Sequence, residues 1–415
     1  MALVKMKDLL NHAYHNRYAV GAFEIVSLDF LRAVIEAAET SFEIVSLDFL
    51  RAVIEAAETS RSPVILNVVE AHFDLFDIEQ LMVAVAHAAK RASVPVAIHM
   101  DHCTSLDSIR RAIALGSNSV MFDASQTDFP VNTEKTRRAV ELAHSCGVPV
   151  EGELGYVAGI SGDDGHAAED SSVYTSVPEA KAYVERTGID FLAISIGTVH
   201  GRTNGKMRFD SGLLMRIKES VNIPFVIHGG SGLSGQQYHK LIDHGVAKIN
   251  YFTALSELAI NQIRTNFARD CDSYREAFAH IKDALVKEVQ NCMQVWRSAG
   301  RAAEVLMQCG AWQNIEHVIV YNTSSNDLQL IERMMRKGKQ QLSSIPGVMR
   351  VQVGRAVDER GSYRYCWLIR FASAEVIENY KTHPVHVEYA DSFFRPLAAD
   401  RITADYEMLE DLELH

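Results

Sequence analysis

Eight short apolar runs, each followed by a helical pattern, fill residues 18 to about 255. No other feature limits the fold so tightly. The runs are YAVGAF (18–23), PVILNVV (63–69), PVAIHM (95–100), SVMFDA (119–124), PVEGEL (149–154), FLAISIG (191–197), PFVIHG (224–229) and KINYFT (248–253). Near-continuous apolar character suits parallel strands covered on both faces. Between them lie amphipathic stretches such as DIEQLMVAVAHAAKRA, SLDSIRRAIALG, NTEKTRRAVELAHSCG, VPEAKAYVERTG and FDSGLLMRIKESV. Gly116, Gly147 and Gly188 stand just before the next strand, where a helix stop belongs. Eight strands with crossover helices predict an α/β fold closed as a (β/α)8 TIM barrel rather than an open sheet. Residues 257–302 then read as a pair of closing helices.

The pattern changes after residue 303. EHVIVYNT, LQLIERMMRKGKQQLSSI, PGVMRVQVGRA, SYRYCWLIRFAS, AEVIENYKTHPVHVEYADSF and ADRITADYEML follow a β-α-β-β-α-β order. That order predicts a small α+β ferredoxin-like domain. The expected division is therefore a barrel over 1–302 and a second domain over 303–415.

Within the first barrel unit, FEIVSLDFLRAVIEAAETS at 23–41 recurs unchanged at 42–60. Nothing repeats it a third time, so a solenoid is excluded. Each copy holds a strand-like FEIV, a Ser and Asp suited to a helix cap, and one apolar face, Leu31, Val34, Ile35 and Ala38 in the first copy. One such unit suffices to lead from YAVGAF to PVILNVV. Identity at every position marks a recent duplication or an artefact, and the second copy is expected to be dispensable.

Polar residues collect at the C-terminal ends of successive strands: Asp101 and His102, Asp123, Glu151 and Glu153, His200, His228 and Asn250. In a (β/α)8 barrel that rim is where catalytic groups converge. Three neutral imidazoles, His102, His200 and His228, leave an open position on a zinc ion, the arrangement of a Lewis-acid site. Nickel, cobalt and iron accept the same ligand types. Asp123 and Glu153, with His102, offer a second metal position or carboxylates that orient the histidines. Asp101, beside the metal, suits proton transfer during carbon–carbon bond chemistry. HGGSGLSG (228–235) and NYFT (250–253) follow the seventh and eighth strands, the usual barrel position for a phosphate.

Composition excludes several alternatives. With 41 basic against 53 acidic residues the net charge is −12, and no dense Lys/Arg block appears, so neither nucleic acid nor an anionic membrane is an expected partner. No apolar run reaches the roughly 18 residues of a membrane helix, and the start lacks a signal peptide's apolar core. Six scattered cysteines without a CxxC pair predict reduced thiols and a cytoplasmic protein.

The ordered motifs HMDHCTSLDSIRRAI, VMFDAS, VEGELG, IGTVHG, VIHGGSG and KINYFT together resemble the class II, metal-dependent ketose-bisphosphate aldolases, nearest their tagatose/fructose-bisphosphate branch. The likeness runs from residue 3 to 302. It implies Asp101 as proton donor and acceptor, His102, His200 and His228 as zinc ligands, and Asp123 and Glu153 as a second zinc position. It also implies dihydroxyacetone phosphate contacts from Gly201, Gly229, Gly230, Ser231, Asn250, Tyr251, Phe252 and Thr253, with a monovalent cation (Na+ or K+) near the phosphate. Three departures bear on the sugar. Glu24, and Glu43 in the repeat, stand where relatives carry Asn. AGISGDD replaces a loop whose Glu shuttles a proton, leaving Asp163 or Asp164 to substitute. DCDSYR replaces a DPR-like segment, with Arg275 the stand-in.

Residues 315 to 410 resemble the stress-responsive dimeric α/β-barrel domains through His317, SSIPGV, the segment from Phe371 to Tyr380, and HPVH at 383–386. Such domains usually pair two sheets, which implies a homo-oligomer, dimer or tetramer. His317, His383 and His386 are candidates for acid–base work there, against a structural role at the contact. The expected activity is zinc-dependent, reversible cleavage of a ketose (bis)phosphate. The alternatives are another metal-dependent lyase or epimerase on a phosphorylated sugar, or a degenerate barrel serving as scaffold or sensor.

Overall fold

A computed structural model describes residues 2–25, 48–74, 77–157, 174–199, 201, 209–269, 271–358 and 360–408. Eight parallel strands close into a barrel: β1 (Val20–Glu24), β2 (Val64–Val69), β3 (Val96–Cys103), β4 (Ser119–Phe122), β5 (Val150–Leu154), β6 (Phe191–Ile194), β7 (Phe225–Ile227) and β8 (Val246–Tyr251). Closure is made by β1 on β8, with Ala22 opposite Asn250. The strands are buried along their length, because helices cover them outside and side chains fill them inside.

The covering helices are α1 (Met6–His15), α2 (Asp48–Ser60), α3 (Ile78–Arg91), α4 (Leu106–Ala114), α5 (Phe129–His144), α6 (Val177–Thr187), α7 (Ser211–Ser220), α8 (Gly235–Asp243), α9 (Thr253–Phe267), the short α10 (Tyr274–Ala277), α11 (Ile281–Val295) and α12 (Ala302–Gln308). Their starts follow capping chemistry. Asp77 accepts from the Gln80 amide at 3.1 Å, Asp210 from Leu213 at 2.8 Å, and Ser234 forms a capping box with Gln237. Gly188 ends α6 at φ +73°, as its place in the sequence predicts. The closing region differs from a helix pair starting at 257. The chain passes from strand to helix at Phe252, α9 begins at Thr253, and the short α10 stands between α9 and α11.

Trp296, fully buried, stacks on Phe23 at 5.8 Å and meets Tyr238 and Tyr251 edge-on. A Cβ on Gly21 would lie 2.8 Å from the Trp296 ring and closer still to Phe23, so glycine is required for this approach. Burying one such aromatic contributes about 1.5–3 kcal/mol.

Along the strands, steps of two residues carry the inward side chains from apolar to polar. Ile65 leads to Asn67, Ala97 to His99 and Asp101, Met121 to Asp123, and Val226 to His228. Neighbouring registers bring these steps level, with Ile65 opposite Ala97 and Asn67 opposite His99. One end of the barrel is thus packed with hydrocarbon and the other with polar groups.

The C-terminal unit has β9 (Ile315–Thr323), α13 (Leu328–Leu342), β10 (Val348–Arg355), β11 (Tyr365–Phe371), α14 (Val376–Thr382), α15 (Pro384–Tyr389) and β12 (Ala398–Glu407). Its antiparallel sheet runs β10-β11-β9-β12, the ferredoxin-like order. The single helix expected over 374–393 is divided at His383. The residue before a proline is driven to extended backbone, and there its ring caps the next helix by accepting from the Val385 amide at 3.3 Å.

β1 ends with Phe23 and Glu24 of the first repeat copy, whereas α2 is built from the second. Because the copies are identical, deleting 42–60 yields the same chain as deleting 25–43. That joins Glu24 to Ile44 and leaves Ile44 to Leu47 as a connection of normal length for a βα loop, about 2–6 residues. The deletion variant is expected to give an unchanged circular-dichroism spectrum and a melting midpoint within about 3 °C of the full chain. Aggregation or loss of the cooperative transition would show that both copies are needed.

Candidate active site

β3 ends on an irregularity. Its pairing with β4 shifts between Met100 and Cys103, and His102 within the shift takes a left-handed backbone, φ +51°. Such a conformation is disfavoured for a residue with a Cβ and persists where surrounding contacts enforce it. Here it accompanies a bond from the His102 ring to Asp123 at the end of β4, Nδ1 to Oδ2 at 2.8 Å. The side chains are 14% and 18% exposed, so this pair sits at the mouth of the barrel.

His228, fully buried just after β7, is oriented in the same way from below. Its Nε2 lies 2.8 Å from Glu151 Oε1. A carboxylate only accepts, so each imidazole donates through the nitrogen that faces its carboxylate. The other two nitrogens, His102 Nε2 and His228 Nδ1, are then lone pairs directed at each other, 3.1 Å apart. That contact is repulsive unless a proton or a metal ion lies between them. Tetrahedral zinc, with Zn–N bonds of about 2.0–2.1 Å, separates two ligating nitrogens by about 3.3 Å, so the donor pair fits. Burial disfavours the charged His102 ring, but Asp101, Asp123 and Glu153 outweigh it and raise its pKa to about 10.

Among the described residues, three sets of donors have atoms within 4.8 Å of one another: Asp101, His102 and His228; His102, Asp123 and Glu153; His99, Asp101 and Glu151. Asp123 and Glu153 thus meet His102 together. Glu153 Oε1 accepts from the Val157 amide at 3.2 Å, while its buried Oε2 has no hydrogen-bond partner among the described residues. Burial, with the Asp123 charge added, pushes the Glu153 carboxyl up to about 8.

Asp101 is fully buried and held from several sides. Its Oδ2 accepts from Asn250 Nδ2 at 2.7 Å and Asn67 Nδ2 at 3.0 Å, and lies 4.0 Å from His102 Nε2. Its Oδ1 faces His99 Nε2 at 3.4 Å and Lys248 Nζ at 3.8 Å. Burial opposes ionisation, yet Lys248, His102 and His228 outweigh it and keep Asp101 well below the usual carboxylate range. Asn67, His99 and Lys248 are absent from the residues expected at the site. Their signal was a polar residue interrupting an apolar strand (VILNVV, VAIHM, AKINY), where an unpartnered group costs about 1–3 kcal/mol.

The glycine-rich turn after β7 is fixed by sterics. Gly229 has φ +64°, and a Cβ there would sit 2.1 Å from the Val199 carbonyl oxygen. The Gly230 amide donates to the Asn250 carbonyl at 3.3 Å, and the Ala254 amide at the start of α9 donates to Ser231 Oγ at 3.3 Å. Phe252 stands at the N-cap of α9 and Thr253 begins it, so helix N–H groups and the turn converge, a favourable setting for an anion. The Tyr251 side chain points away, into the helix layer, where its hydroxyl donates to Glu288 at 2.7 Å. Gly201 has φ +78°. Glu24 ends β1 beside Asn67 and is buried, whereas Arg275 is exposed on α10. His200, Glu43, Asp163 and Asp164 lie outside the described residues. In the C-terminal unit His317 Nδ1 meets Asp405 Oδ1 at 2.6 Å, and the Tyr380 ring packs on His386 at 4.4 Å; His383 serves as the cap described above. Among the described residues no helix is long and apolar enough to cross a membrane.

Comparison with known proteins agrees with this arrangement. The family described as fructose-bisphosphate aldolase class-II matches residues 4–41 and 40–301, and the stress responsive A/B barrel domain matches 315–408. The first match breaks and resumes inside the repeat, as a pattern holding one copy must. A fructose-bisphosphate aldolase of Geobacillus stearothermophilus is 35% identical over 306 residues, 73% of this chain and 100% of the relative. A fructose-bisphosphate aldolase of Staphylococcus epidermidis is 33% identical over 308 residues, with the same coverage. Among solved structures, the YdjI aldolase of Escherichia coli K12 superposes with a TM-score of 0.60 at 29% identity, covering 72% of this chain and 99% of that one. The barrel therefore belongs to the class-II fructose-bisphosphate aldolase family, and the chain carries a stress responsive A/B barrel domain behind it.

Proposed function

We propose that the protein is a zinc-dependent aldolase that reversibly cleaves a ketose phosphate or bisphosphate to dihydroxyacetone phosphate and an aldehyde. The observation that carries this reading is the 3.1 Å approach of two imidazole nitrogens, each backed by a carboxylate, beside an ionised aspartate. His102 and His228 would hold the metal with His200, whose inclusion rests on its place in the sequence; Asp123 and Glu153 offer the second position. A divalent cation so held supplies Lewis acidity toward the ketose carbonyl.

The residues around it divide the remaining work. Asp101 takes the C4 hydroxyl proton as the C3–C4 bond breaks, the carbonyl of the aldehyde forms, and the bonding electrons pass to the three-carbon fragment. In condensation it returns that proton. Asn67 and Asn250 hold its carboxylate, so its position is set before the substrate arrives. The Gly229–Ser231 turn, Gly201 and the segment from Asn250 at the end of β8 to Thr253 at the start of α9 bind the phosphate through backbone N–H groups and hydroxyls, with a monovalent cation alongside. The buried carboxylate of Glu24 at the end of β1 favours a sugar with a hydroxyl rather than a phosphate near that strand.

The C-terminal domain serves as a contact between copies. Helices cover one face of its sheet. On the other, Leu368, Val318 and Ala404 lie level across three strands, beside Cys366, Val320 and Ile402, and Ile402 is 54% exposed.

Stripping the protein with a chelator should abolish cleavage of fructose and tagatose bisphosphates, and about one zinc per chain should restore it; cleavage that survives metal-free conditions would refute the mechanism. Asp101→Ala is expected to lower kcat roughly 10²- to 10⁴-fold with bound zinc unchanged. Full activity in that variant removes the role assigned to Asp101. Ile402→Glu should weaken self-association at least about tenfold by burying a charge, read by light scattering across a dilution series. An unchanged mass at every concentration would place the contact elsewhere.

A further inference from the structure

Below the two imidazoles lies a charged group that the chemistry above does not use. Lys248 projects from β8 into the barrel and is completely buried. Its Nζ lies 2.7 Å from Glu151 Oε2 and 3.8 Å from Asp101 Oδ1. Its contacts reach two parts of the site at once. Glu151 uses its second oxygen to hold His228 Nε2, and Asp101 uses its second oxygen to meet Asn67 and Asn250. His99 fills the remaining side, 3.4 Å from Asp101 and 3.6 Å from Glu151, with its other nitrogen 2.8 Å from Ser119 Oγ.

We propose that Lys248 is a positioning residue: one buried ammonium holds Glu151 and Asp101 side by side, so that the first aims His228 Nδ1 at the metal position and the second keeps the acid–base carboxylate in place. This rests on the metal-dependent reading given above. The balance of charge carries it. Glu151 and Asp101 are two buried carboxylates facing one side of a common ring, and among the described residues Lys248 is the cation that touches both. Burial and the neighbouring ammonium both hold the His99 imidazole toward its neutral form, so it does not take over that charge. Without the ammonium the two carboxylates repel across His99 and turn, and each takes its partner with it: Glu151 takes His228 and Asp101 takes the bond to Asn250. Groups that orient a metal ligand from behind typically change metal affinity or activity by roughly 10- to 100-fold when removed.

The test uses the full chain, stripped of metal and titrated with zinc against a chromophoric chelator, alongside kcat and KM for cleavage at saturating zinc. Lys248→Met should lower zinc affinity roughly 10- to 100-fold and lower kcat while leaving KM within about threefold. Glu151→Gln should give a similar loss of affinity. Because both act through His228, the double variant Lys248→Met/Glu151→Gln should lose no more than the worse single variant. The double variant also keeps the test alive if Lys248→Met does not fold, since it removes the surplus negative charge. Unchanged zinc affinity in folded Lys248→Met, or losses that multiply in the double variant, overturns the proposal while leaving the aldolase reading intact. Wild-type protein that binds no zinc overturns both.

Discussion

The arrangement at the mouth of the barrel depends on an ion pair that solvent never reaches. Lys248 on β8 and Glu151 on β5 meet at 2.7 Å inside the barrel, both completely buried. Taking either charge out of water is expensive, and removing one partner of such a pair typically costs about 3–5 kcal/mol. Such a pair persists where more contacts depend on it. Here the outer Glu151 oxygen orients His228, and the ammonium also faces Asp101, so the groups expected to do the chemistry rest on one buried charge layer.

Orientation by carboxylates explains why the two imidazoles converge. Asp123 holds His102 from the rim and Glu151 holds His228 from beneath, which leaves one nitrogen of each ring turned toward the other. A contact of 3.1 Å between two ring nitrogens needs a proton or a metal ion between them, and the left-handed backbone of His102 is the local strain that accompanies the approach. The barrel contributes rigidity. An apolar layer including Ala22, Ile65, Ala97, Met121, Ala193 and Val226 packs below the charges and fixes the strands that bear them.

The repeat and the C-terminal domain show how additions are accommodated. Described β1 and α2 account for one strand–helix unit between them, drawing on different copies of the same 19 residues. The C-terminal sheet keeps its own helices and an aromatic core around Trp367, Tyr321 and Phe371.

Much of this was legible in the sequence. Period and punctuation determine secondary structure locally, so the eight strand–helix units, the barrel and the ferredoxin-like order could be read directly, as could the rim position of Asp101, His102, Asp123, Glu153 and His228, because strand direction alone puts a strand's last residues at one end. Tertiary structure decided which polar residues within strands belong to the site. Asn67, His99 and Lys248 each look like an interruption in an apolar run until closure of the barrel gathers them around Asp101. It also decided that the Tyr251 side chain turns outward to Glu288, since alternation tells which residues share a face but not which face the closed barrel turns inward. The distance between His102 and His228, 126 residues apart in the chain, follows from closure as well; no local pattern encodes an approach that eight strands must complete together.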